Sequence, residues 1–280
     1  MKFLIGCDPE FFLKEGDKII PACGTIPGTK DKPFKVEKGA VQVDGLATEF
    51  NIDPASTEDE FVINIDTVIG ELKKLIPKNT DLSDTVSYSF EEVWKDIPYG
   101  SRRLGCDPDF DAYNEGERAV PNYLKKSTYR HVGGHIHIGW TKDQDIVSPT
   151  HLHACKELSK QLDYFLFLPS LLLDQKSEDR VAFYGQPGIF RPKPYGMEYR
   201  SLSNFWVLNE KLRRWVYRSV DKAIDEYVEK DNYYPAKYGE TYIHTILYNL
   251  GNYKSKSKTL QTLATIKYFE QVYELYKDAI

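Results

Sequence analysis

Short apolar runs recur through the first two thirds of the chain, and most of them have the length of β-strands. Each run is rich in aromatic or β-branched residues and is bounded by Gly, Pro, Asp or Asn, which favour turns. The pattern predicts strands at residues 2–13, 40–52, 85–90, 101–113, 130–140 and 196–205. Because these short runs alternate with turn residues, we expect a mostly antiparallel sheet.

Other segments have a helical period. In residues 56–75, apolar side chains recur every three or four positions, after a Ser/Thr start and before Pro77. The same period predicts helices at residues 149–168, 209–229 and 258–277. Helices that cover an antiparallel sheet define an α+β architecture. Since no low-complexity linker interrupts the chain, we predict one domain over residues 1–280, with a helical C-terminal portion from about residue 206.

Composition and charge narrow the classes of function. The 42 acidic and 37 basic residues nearly balance, and the formal net charge is -5. Nucleic acid is therefore not an expected partner. No apolar run reaches the roughly 18 residues that a membrane span needs, and the first residues lack the pattern of a signal peptide. We expect a cytoplasmic protein without membrane contact, whose four cysteines, none in a CxxC pair, are reduced thiols.

Acidic residues are concentrated on or beside the predicted strands. The motif at residues 6–11, Gly-Cys-Asp-Pro-Glu-Phe, returns as Gly-Cys-Asp-Pro-Asp-Phe at residues 105–110. In each copy two acids are two residues apart, so a strand would direct both to one face. The acids concerned are Asp8, Glu10, Asp44, Glu49, Asp107, Asp109 and Glu198. Strands disfavour acids, and acids on one face repel unless a cation or proton intervenes, so we expect the set to bind a metal.

Two histidines on one predicted strand support this hypothesis. In Gly-His-Ile-His-Ile-Gly, residues 134–139, His135 and His137 share one face and the two isoleucines take the other. Taken alone, the pair fits two hydrogen-bonded histidines on a half-exposed strand equally well. Together with the acids it predicts a divalent-metal site. Oxygen-rich ligation with few nitrogens suits Mg or Mn better than Zn.

Cationic residues lie beside the last predicted strand. Glu198 and Arg200 are two residues apart, so a carboxylate could hold a cation while the guanidinium grips a phosphate; a cross-strand salt bridge is the alternative. Residues 184–193 are predicted as a Gly/Pro-rich loop that carries Arg191 and Lys193. The sequence has no phosphate-binding motif of the GxxxxGK[ST] or GxGxxG type. Any nucleotide would therefore bind at a site built on the sheet.

Four motifs, taken in order, resemble those of the glutamine synthetase-like carboxylate-amine ligases, and most closely the phage-type COOH-NH2 ligase type 2 family. They are Gly6-Cys-Asp-Pro-Glu-Phe-Phe-Leu13, Glu49-Phe-Asn51, Gly134-His-Ile-His-Ile-Gly139 and Glu198-Tyr-Arg200. The resemblance covers residues 6–206 and leaves out about the last 75. It implies a glutamine synthetase/guanido kinase-like fold, a mostly antiparallel sheet covered by helices. For a phage-encoded protein, the expected location becomes the host cytoplasm.

The resemblance also implies roles for individual residues. The metal on the nucleotide phosphates would be held by Asp8, His135 and Glu198. The metal that faces the substrate carboxylate would be held by Glu10, Asp44 and Glu49. The phosphates would be bound by His137, Arg191, Lys193 and Arg200, and the catalytic residues would be Glu10, Glu49 and Arg200. The first acid is Asp where the superfamily usually has Glu, and Asp44 and Glu49 are only five residues apart, so Asp107 or Asp109 could replace one member of the substrate-side set.

The implied activity is an ATP- and Mg-dependent (or Mn-dependent) ligation. A carboxylate would be phosphorylated to an acyl phosphate, and an amine would then displace phosphate to form an amide or isopeptide bond. The substrates would be amino acids, peptides or cell-wall fragments. Three alternatives remain open: a guanido-kinase-like phosphotransferase, a Zn-dependent hydrolase that uses His135 and His137, and a non-catalytic scaffold protein with the ligase fold.

Overall fold

The computed structural model describes residues 3–103, 108–114, 117–118, 127–174, 178–181, 183–239 and 243–244. Asp107, Cys106 and the predicted helix at residues 258–277 lie outside these residues. The described part has both helices and antiparallel sheets, so the α+β prediction is confirmed. None of its helices combines the length and apolar character needed to cross a membrane.

A six-stranded antiparallel sheet, here called the large sheet, lies at the centre. Its strands, in spatial order, are β1 (Leu4–Cys7), β13 (Ile136–Gly139), β15 (Gly196–Tyr199), β14 (Ile189–Lys193), β10 (Asp109–Asp111) and β11 (Glu117–Arg118). Ile5, Ile138 and Met197 are paired across three of these strands and are buried in the main core. Because side chains alternate along a strand, the residues between them face the opposite side of the sheet.

A second antiparallel sheet of four strands, here called the small sheet, begins directly after β1. It contains β2 (Glu10–Phe11), β7 (Ala47–Ile52), β6 (Gly39–Asp44) and β5 (Phe34–Val36), in that order. Two lesser sheets contain β4 (Lys18–Ile20), β3 (Leu13–Glu15) and β8 (Asp81–Leu82), and β12 (Tyr129–His131) and β9 (Ser87–Ser89). Only Asp8 and Pro9 separate β1 from β2, so the chain passes straight from the large sheet to the small one.

Helices cover the core side of both sheets. They are α1 (Glu58–Leu75), α2 (Pro149–Leu162), α3 (Leu168–Leu173), α4 (Glu178–Val181), α5 (Glu210–Ile224) and α6 (Tyr234–Tyr238). Single π-helical turns follow α2 and α5 at Asp163–Phe167 and Asp225–Glu229, and 3₁₀ turns lie at Glu91–Val93, Tyr99–Arg102 and Asn204–Trp206. Helix α1 packs on β6 and β7, and α2 on β14 and β15.

The predicted helix at residues 56–75 is confirmed, and its sequence shows why it forms. The Thr57 side chain caps α1 by accepting a hydrogen bond from the backbone N–H of Glu60, and acids fill the first turn. Its apolar face is buried: Phe61 packs against Trp206 and Tyr217 at ring-centroid distances of 6.0 and 5.7 Å. This packing joins α1 to α5 and anchors the helical layer.

Two parts of the secondary-structure prediction were wrong. Among the described residues of 101–113, the predicted strand is found only at β10, because Tyr99–Arg102 forms a 3₁₀ turn whose Arg102 side chain donates to the carbonyl of Ile97 at 2.7 Å. Residues 184–193, predicted as a loop, contain strand β14. The turn is confined to residues 185–188, where both end glycines have positive φ. Pro192 is tolerated because β10 pairs with β14 only at Ile189 and Phe190, so no neighbour needs the missing N–H.

The other predicted strands are shorter or divided, and the single-domain boundary remains a prediction. Residues 2–13 contain β1, β2 and the start of β3, residues 40–52 contain the hairpin of β6 and β7, and residues 85–90 contain only β9. Residues 130–140 form two strands, β12 and β13, with an irregular segment at 132–135, and residues 196–205 form a strand only as far as Tyr199. Cys7, Cys23 and Cys155 are free thiols, as predicted.

Candidate functional site

One row of side chains crosses the large sheet on its open face. Gly6 is paired with His137, His137 with Glu198, and Glu198 with Arg191. Directly paired residues of antiparallel strands have side chains on the same face. The row thus brings together side chains that are distant in sequence. Gly6 leaves room beside it, because a Cβ there would lie 3.7 Å from the Cβ of His137.

A cluster of possible metal ligands combines Glu198 of this row with Asp8, just after β1, and His135, just before β13. Asp8, His135 and Glu198 each offer one ligand atom within 4.8 Å of the other two, and these residues are here called the His135 cluster. Nδ1 of His135 lies 3.3 Å from Oδ1 of Asp8 and 3.5 Å from Oε1 of Glu198. His135 and Glu198 are buried. The structure therefore brings the three residues of the predicted nucleotide-side set together.

Cations surround the carboxylate of Glu198. Lys193 Nζ lies 2.7 Å from Oε2, Arg191 Nη1 lies 3.6 Å from the same oxygen, and Arg200 Nη1 donates to Oε1. Burial favours the protonated acid, but Arg200 and Lys193 outweigh it and hold the pKa of Glu198 well below its usual range. Three of the four predicted phosphate-binding residues therefore lie at one carboxylate.

Asp8 is similarly stabilised as an anion, by His137. Oδ1 of Asp8 lies 2.9 Å from Nε2 of His137, whose Nδ1 shares a hydrogen bond with the hydroxyl of Tyr195. Burial disfavours the charge on Asp8, but His137 and hydrogen bonds from both histidines outweigh it, so the pKa of Asp8 is lowered. His137 thus lies beside the His135 cluster and holds one of its acids.

The second cluster lies on the small sheet. Glu10 is directly paired with Glu49 across β2 and β7, and Glu49 is paired with Gln42, which is two residues before Asp44 on β6. Glu10, Asp44 and Glu49 each offer a carboxylate oxygen within 4.8 Å of the other two, and are here called the acid cluster. Gly45, with φ +58°, forms the turn that ends β6 after Asp44. The predicted substrate-side set is therefore also brought together.

Glu10 and Glu49 of the acid cluster have raised pKa values. Burial and then the neighbouring Asp44 raise the pKa of Glu10 to about 8, against the pull of Arg200 and a 2.8 Å hydrogen bond from the backbone N–H of Gly133. Burial, with the charges of Asp8 and Glu10, raises the pKa of Glu49 well above its ordinary value. Carboxylates crowded in this way retain protons until a cation replaces them. The donor set, three hard oxygens, fits Mg²⁺ or Mn²⁺.

A cavity of about 920 Å³ is lined by the whole acid cluster and by Asp8 and His135 of the His135 cluster, whereas Glu198 is buried behind it. Residues before and after His135 also line it, among them Tyr129, His131, His137 and Lys142. The rings of His131 and Phe183, both in the lining, are stacked with centroids 5.8 Å apart. The lining therefore combines aromatic and charged side chains with the carboxylates.

Asp109, considered above as a possible member of the substrate-side set, does not lie in the acid cluster. Its Oδ1 lies 3.0 Å from Nη2 of Arg191 and 3.0 Å from Nε of Arg200, so its carboxylate joins the two arginines and is not one of the acid-cluster residues. Asp109 therefore positions the cations of the large sheet. Its partner in the repeated motif, Asp107, lies outside the described residues.

The sequence interpretation missed two tyrosines of the site. Tyr184 has its hydroxyl 2.8 Å from Nε2 of His135 and 2.6 Å from Nη2 of Arg200, and Tyr195 contacts His137. Tyr184 begins the cationic segment 184–193, and Tyr195 follows it closely. This position is the only feature of the sequence that could have pointed to the two tyrosines. Neither has the two-residue spacing that marked the acids and histidines.

Comparison with known families gives one match. The sequence model of the family described as "Phage phiEco32-like COOH.NH2 ligase-type 2" matches residues 124–265, about half of the chain. The matched part includes the histidine strand and β14 and β15, whereas Asp8 and the whole acid cluster lie before it. The comparison with curated proteins found no match.

Proposed function

The chain belongs to the phage phiEco32-like COOH.NH2 ligase-type 2 family, and from this premise we propose that it joins the carboxyl group of one substrate to the amine of another. We further propose that the reaction consumes ATP, requires Mg²⁺ or Mn²⁺, and takes place on a glutamine synthetase-like fold. One observation carries the proposal: two three-residue clusters, linked in sequence at Asp8-Pro9-Glu10, both contribute to the lining of one cavity, and the pKa of Asp8 is lowered whereas that of Glu10 is raised.

The His135 cluster is the proposed nucleotide side. Arg191, Lys193 and Arg200 all converge on Glu198, and these cations would bind the phosphate oxygens of ATP. Arginine and lysine on one sheet face can neutralise the charge that develops on a transferred phosphoryl group. A divalent cation held by the His135 cluster would add to that neutralisation. Because Asp109 joins Arg191 and Arg200, the guanidinium groups would remain in place when nucleotide arrives.

The acid cluster is the proposed substrate side. Three carboxylates cannot bind a substrate carboxylate directly, because the charges repel. With a cation bound, Glu10, Asp44 and Glu49 would present a positive centre to it. The part of the cavity lined by Tyr129, His131 and Phe183 would then accept the rest of the substrate, an amino acid, peptide or cell-wall fragment.

The proposed reaction has two steps. In the first, an oxygen of the substrate carboxylate attacks the γ-phosphorus of ATP, the bond to the bridging oxygen of ADP breaks, and an acyl phosphate forms. In the second, the amine attacks the acyl carbon, phosphate leaves, and a cavity carboxylate takes the proton of the amine. Arg200 is the residue proposed to contact the phosphoryl group throughout, since it also lies beside Glu198 and Asp109.

The test is a screen of carboxylate and amine pairs with Mg-ATP, read as ADP release. Hydroxylamine is included in parallel, because it converts an acyl phosphate to a hydroxamate that can be detected. Glu198→Gln is the blank, and Arg218→Ala, at a partly exposed surface residue that pairs with Glu58, is the matched control. We expect hydroxamate and ADP with the wild type and the control but not with the blank.

Each rival function gives a different outcome of this screen. Equal ADP release by the wild type and Glu198→Gln would defeat the proposal. A stable phosphorylated product without hydroxamate would indicate a phosphotransferase. Bond cleavage without ATP, stopped by a zinc chelator, would indicate a hydrolase, and ATP binding that is indifferent to Mg²⁺ would indicate a scaffold protein.

A further inference from the structure

Tyr184 makes contacts that the proposed function does not yet use. Its hydroxyl lies 2.8 Å from Nε2 of His135 and accepts a hydrogen bond from Nη2 of Arg200 at 2.6 Å. It thus joins a residue proposed to hold a cation to a residue proposed to bind phosphate. The aromatic ring also lines the cavity beside both.

The surrounding residues hold Tyr184 in this position. The guanidinium of Arg180 lies 4.8 Å from the ring centroid, and Arg180 is itself fully buried and donates to the backbone carbonyls of Val132, Ser201 and Leu202. Gly185 follows Tyr184 with φ +71°, and a Cβ there would lie 2.2 Å from Nη1 of Arg180. Only glycine allows the chain to turn so closely over this guanidinium. The Tyr184 ring is therefore held in place by its contact with Arg180.

An imidazole ring can present either nitrogen to a cation, and the hydrogen bond at the other nitrogen decides which. In His135, Nδ1 faces Asp8 and Glu198 and lies 3.3 Å from Nη1 of Arg200, and Nε2 faces Tyr184. When a cation takes the lone pair of Nδ1, the ring proton lies on Nε2. The Tyr184 oxygen can accept that proton's hydrogen bond together with the one from Arg200, because a phenol oxygen accepts two.

We infer that Tyr184 is a positioning residue of the His135 cluster: its hydroxyl holds His135 with Nδ1 directed at Asp8 and Glu198, and keeps Arg200 beside it. A cation at the cluster and the phosphate-binding guanidinium are thereby held at a fixed separation. The inference rests on the proposed function, because it assumes that the His135 cluster binds a divalent cation. Removal of such an orienting partner typically weakens metal binding by about 10–100-fold.

The experiment is a titration of the full chain with Mn²⁺, read by electron paramagnetic resonance, which counts free ions. Tyr184→Phe removes the hydroxyl and keeps the ring. Tyr113→Phe is the matched control, because it removes a tyrosine hydroxyl that donates to the buried Asp163 away from the clusters. Glu198→Gln identifies which binding step belongs to the His135 cluster. We expect Tyr184→Phe to weaken that step by roughly 10–100-fold and to leave the other step unchanged, and Tyr113→Phe to change neither.

A second measurement does not depend on the folding of a variant. In the wild-type protein with Mg²⁺, ¹⁵N nuclear magnetic resonance of His135 should show a protonated Nε2 and an unprotonated Nδ1. The reverse pattern would overturn the inference, as would wild-type Mn²⁺ affinity in folded Tyr184→Phe; in both cases the proposed function would stand. If Glu198→Gln removes no Mn²⁺ from the wild-type count, the proposed metal site fails, and the inference fails with it.

Discussion

The two clusters beside the cavity have the same number of possible metal ligands and opposite electrostatics. In the His135 cluster the pKa values of Asp8 and Glu198 are lowered, and in the acid cluster those of Glu10 and Glu49 are raised. Burial acts in the same direction on all four carboxyls, so it cannot explain the difference. The neighbours do: imidazole, lysine and arginine face the first pair, whereas other carboxyls face the second.

This difference indicates which carboxylates are neutralised by side chains and which would need a bound cation to neutralise them. The His135 cluster is already neutralised by side chains, so a cation there would share Glu198 with Lys193 and Arg200. In the acid cluster the repulsion between carboxylates is not offset in this way, because Glu10 and Glu49 are directly paired across two neighbouring strands. We therefore expect the two clusters to respond in opposite ways to loss of a carboxylate and to pH.

Glu198→Gln should have the largest effect. It leaves the buried Arg200 and the partly exposed Lys193 without this carboxylate, and breaking a buried ion pair costs about 3–5 kcal/mol of unfolding free energy. ADP release should also fall by at least about 10²-fold, since the variant loses a proposed metal ligand and the anchor of Arg200. Urea denaturation and a coupled ADP assay measure the two effects. An unchanged unfolding free energy would show that Arg200 and Lys193 do not need the charge of Glu198 to be stable in the fold.

Glu49→Gln is the matched change in the acid cluster, and it should lower activity while it raises stability. Activity should fall by about 10²-fold as a proposed metal ligand is lost. The metal-free protein should become more stable by about 0.5–2 kcal/mol at neutral pH, because one of the crowded carboxyls is removed. Thermal unfolding with a chelator gives this quantity. A loss of stability equal to that of Glu198→Gln would remove the contrast between the clusters.

The pH dependence should also differ. Glu10 has a pKa of about 8, so near pH 7 its carboxyl is mostly protonated and a cation must displace the proton. Displacement of the Glu10 proton alone should make Mn²⁺ affinity at the acid cluster fall by up to about tenfold for each pH unit below 8, and a proton on Glu49 would steepen the fall. Asp8 and Glu198 are already ionised there, and the pKa of His135 is lowered by burial and Arg200, so affinity at the His135 cluster should change little between pH 8 and about 6.5. Titrations of Glu198→Gln and Glu49→Gln at several pH values isolate each site, and parallel pH profiles would contradict the assignment.

The same pKa shifts predict how the stability of the metal-free protein depends on pH. The raised pKa of Glu10 and Glu49 means that their contribution is most favourable at low pH and is lost as the pH rises, for Glu10 through about 8. The lowered pKa of Asp8 and Glu198 has the opposite sign, and their contribution is lost as the pH falls below about 4. Chelated protein should therefore be less stable at pH 8.5 than at pH 6, and Glu49→Gln should reduce that difference. Equal slopes in the two proteins would argue against crowding as the cause.

Asp109→Asn should have the smallest effect. Its carboxylate holds Arg191 and Arg200 in place but belongs to neither cluster, so both cations should keep their contact with Glu198. We expect the KM for ATP to rise by roughly tenfold, the equivalent of one charge-assisted hydrogen bond, with a smaller change in kcat. Steady-state kinetics with ATP as the varied substrate measures this. A larger loss in kcat than in KM would place Asp109 in the chemical step.

The alternation of residues along single strands could be predicted from the sequence, because it follows from the geometry of an extended chain. It indicated that His135 and His137 share a face and that Asp8 stands beside Glu10 at the start of the chain. The proximity of each set was implied by family resemblance, and the structure brings both sets together. That they bind metal remains a prediction.

Strand pairing and burial depend on residues far apart in sequence, and only the tertiary structure decided them. It placed β13 between β1 and β15, made a strand of the predicted cationic loop, and directed Lys193 at Glu198. It also brought Asp109 into contact with Arg191 and Arg200, and Tyr184 into contact with His135. Sequence alone determined which residues could share a strand face, since side-chain direction is a local property of the backbone. The opposite pKa shifts of the two clusters came from the fold, because a carboxyl's charge depends on what packs against it.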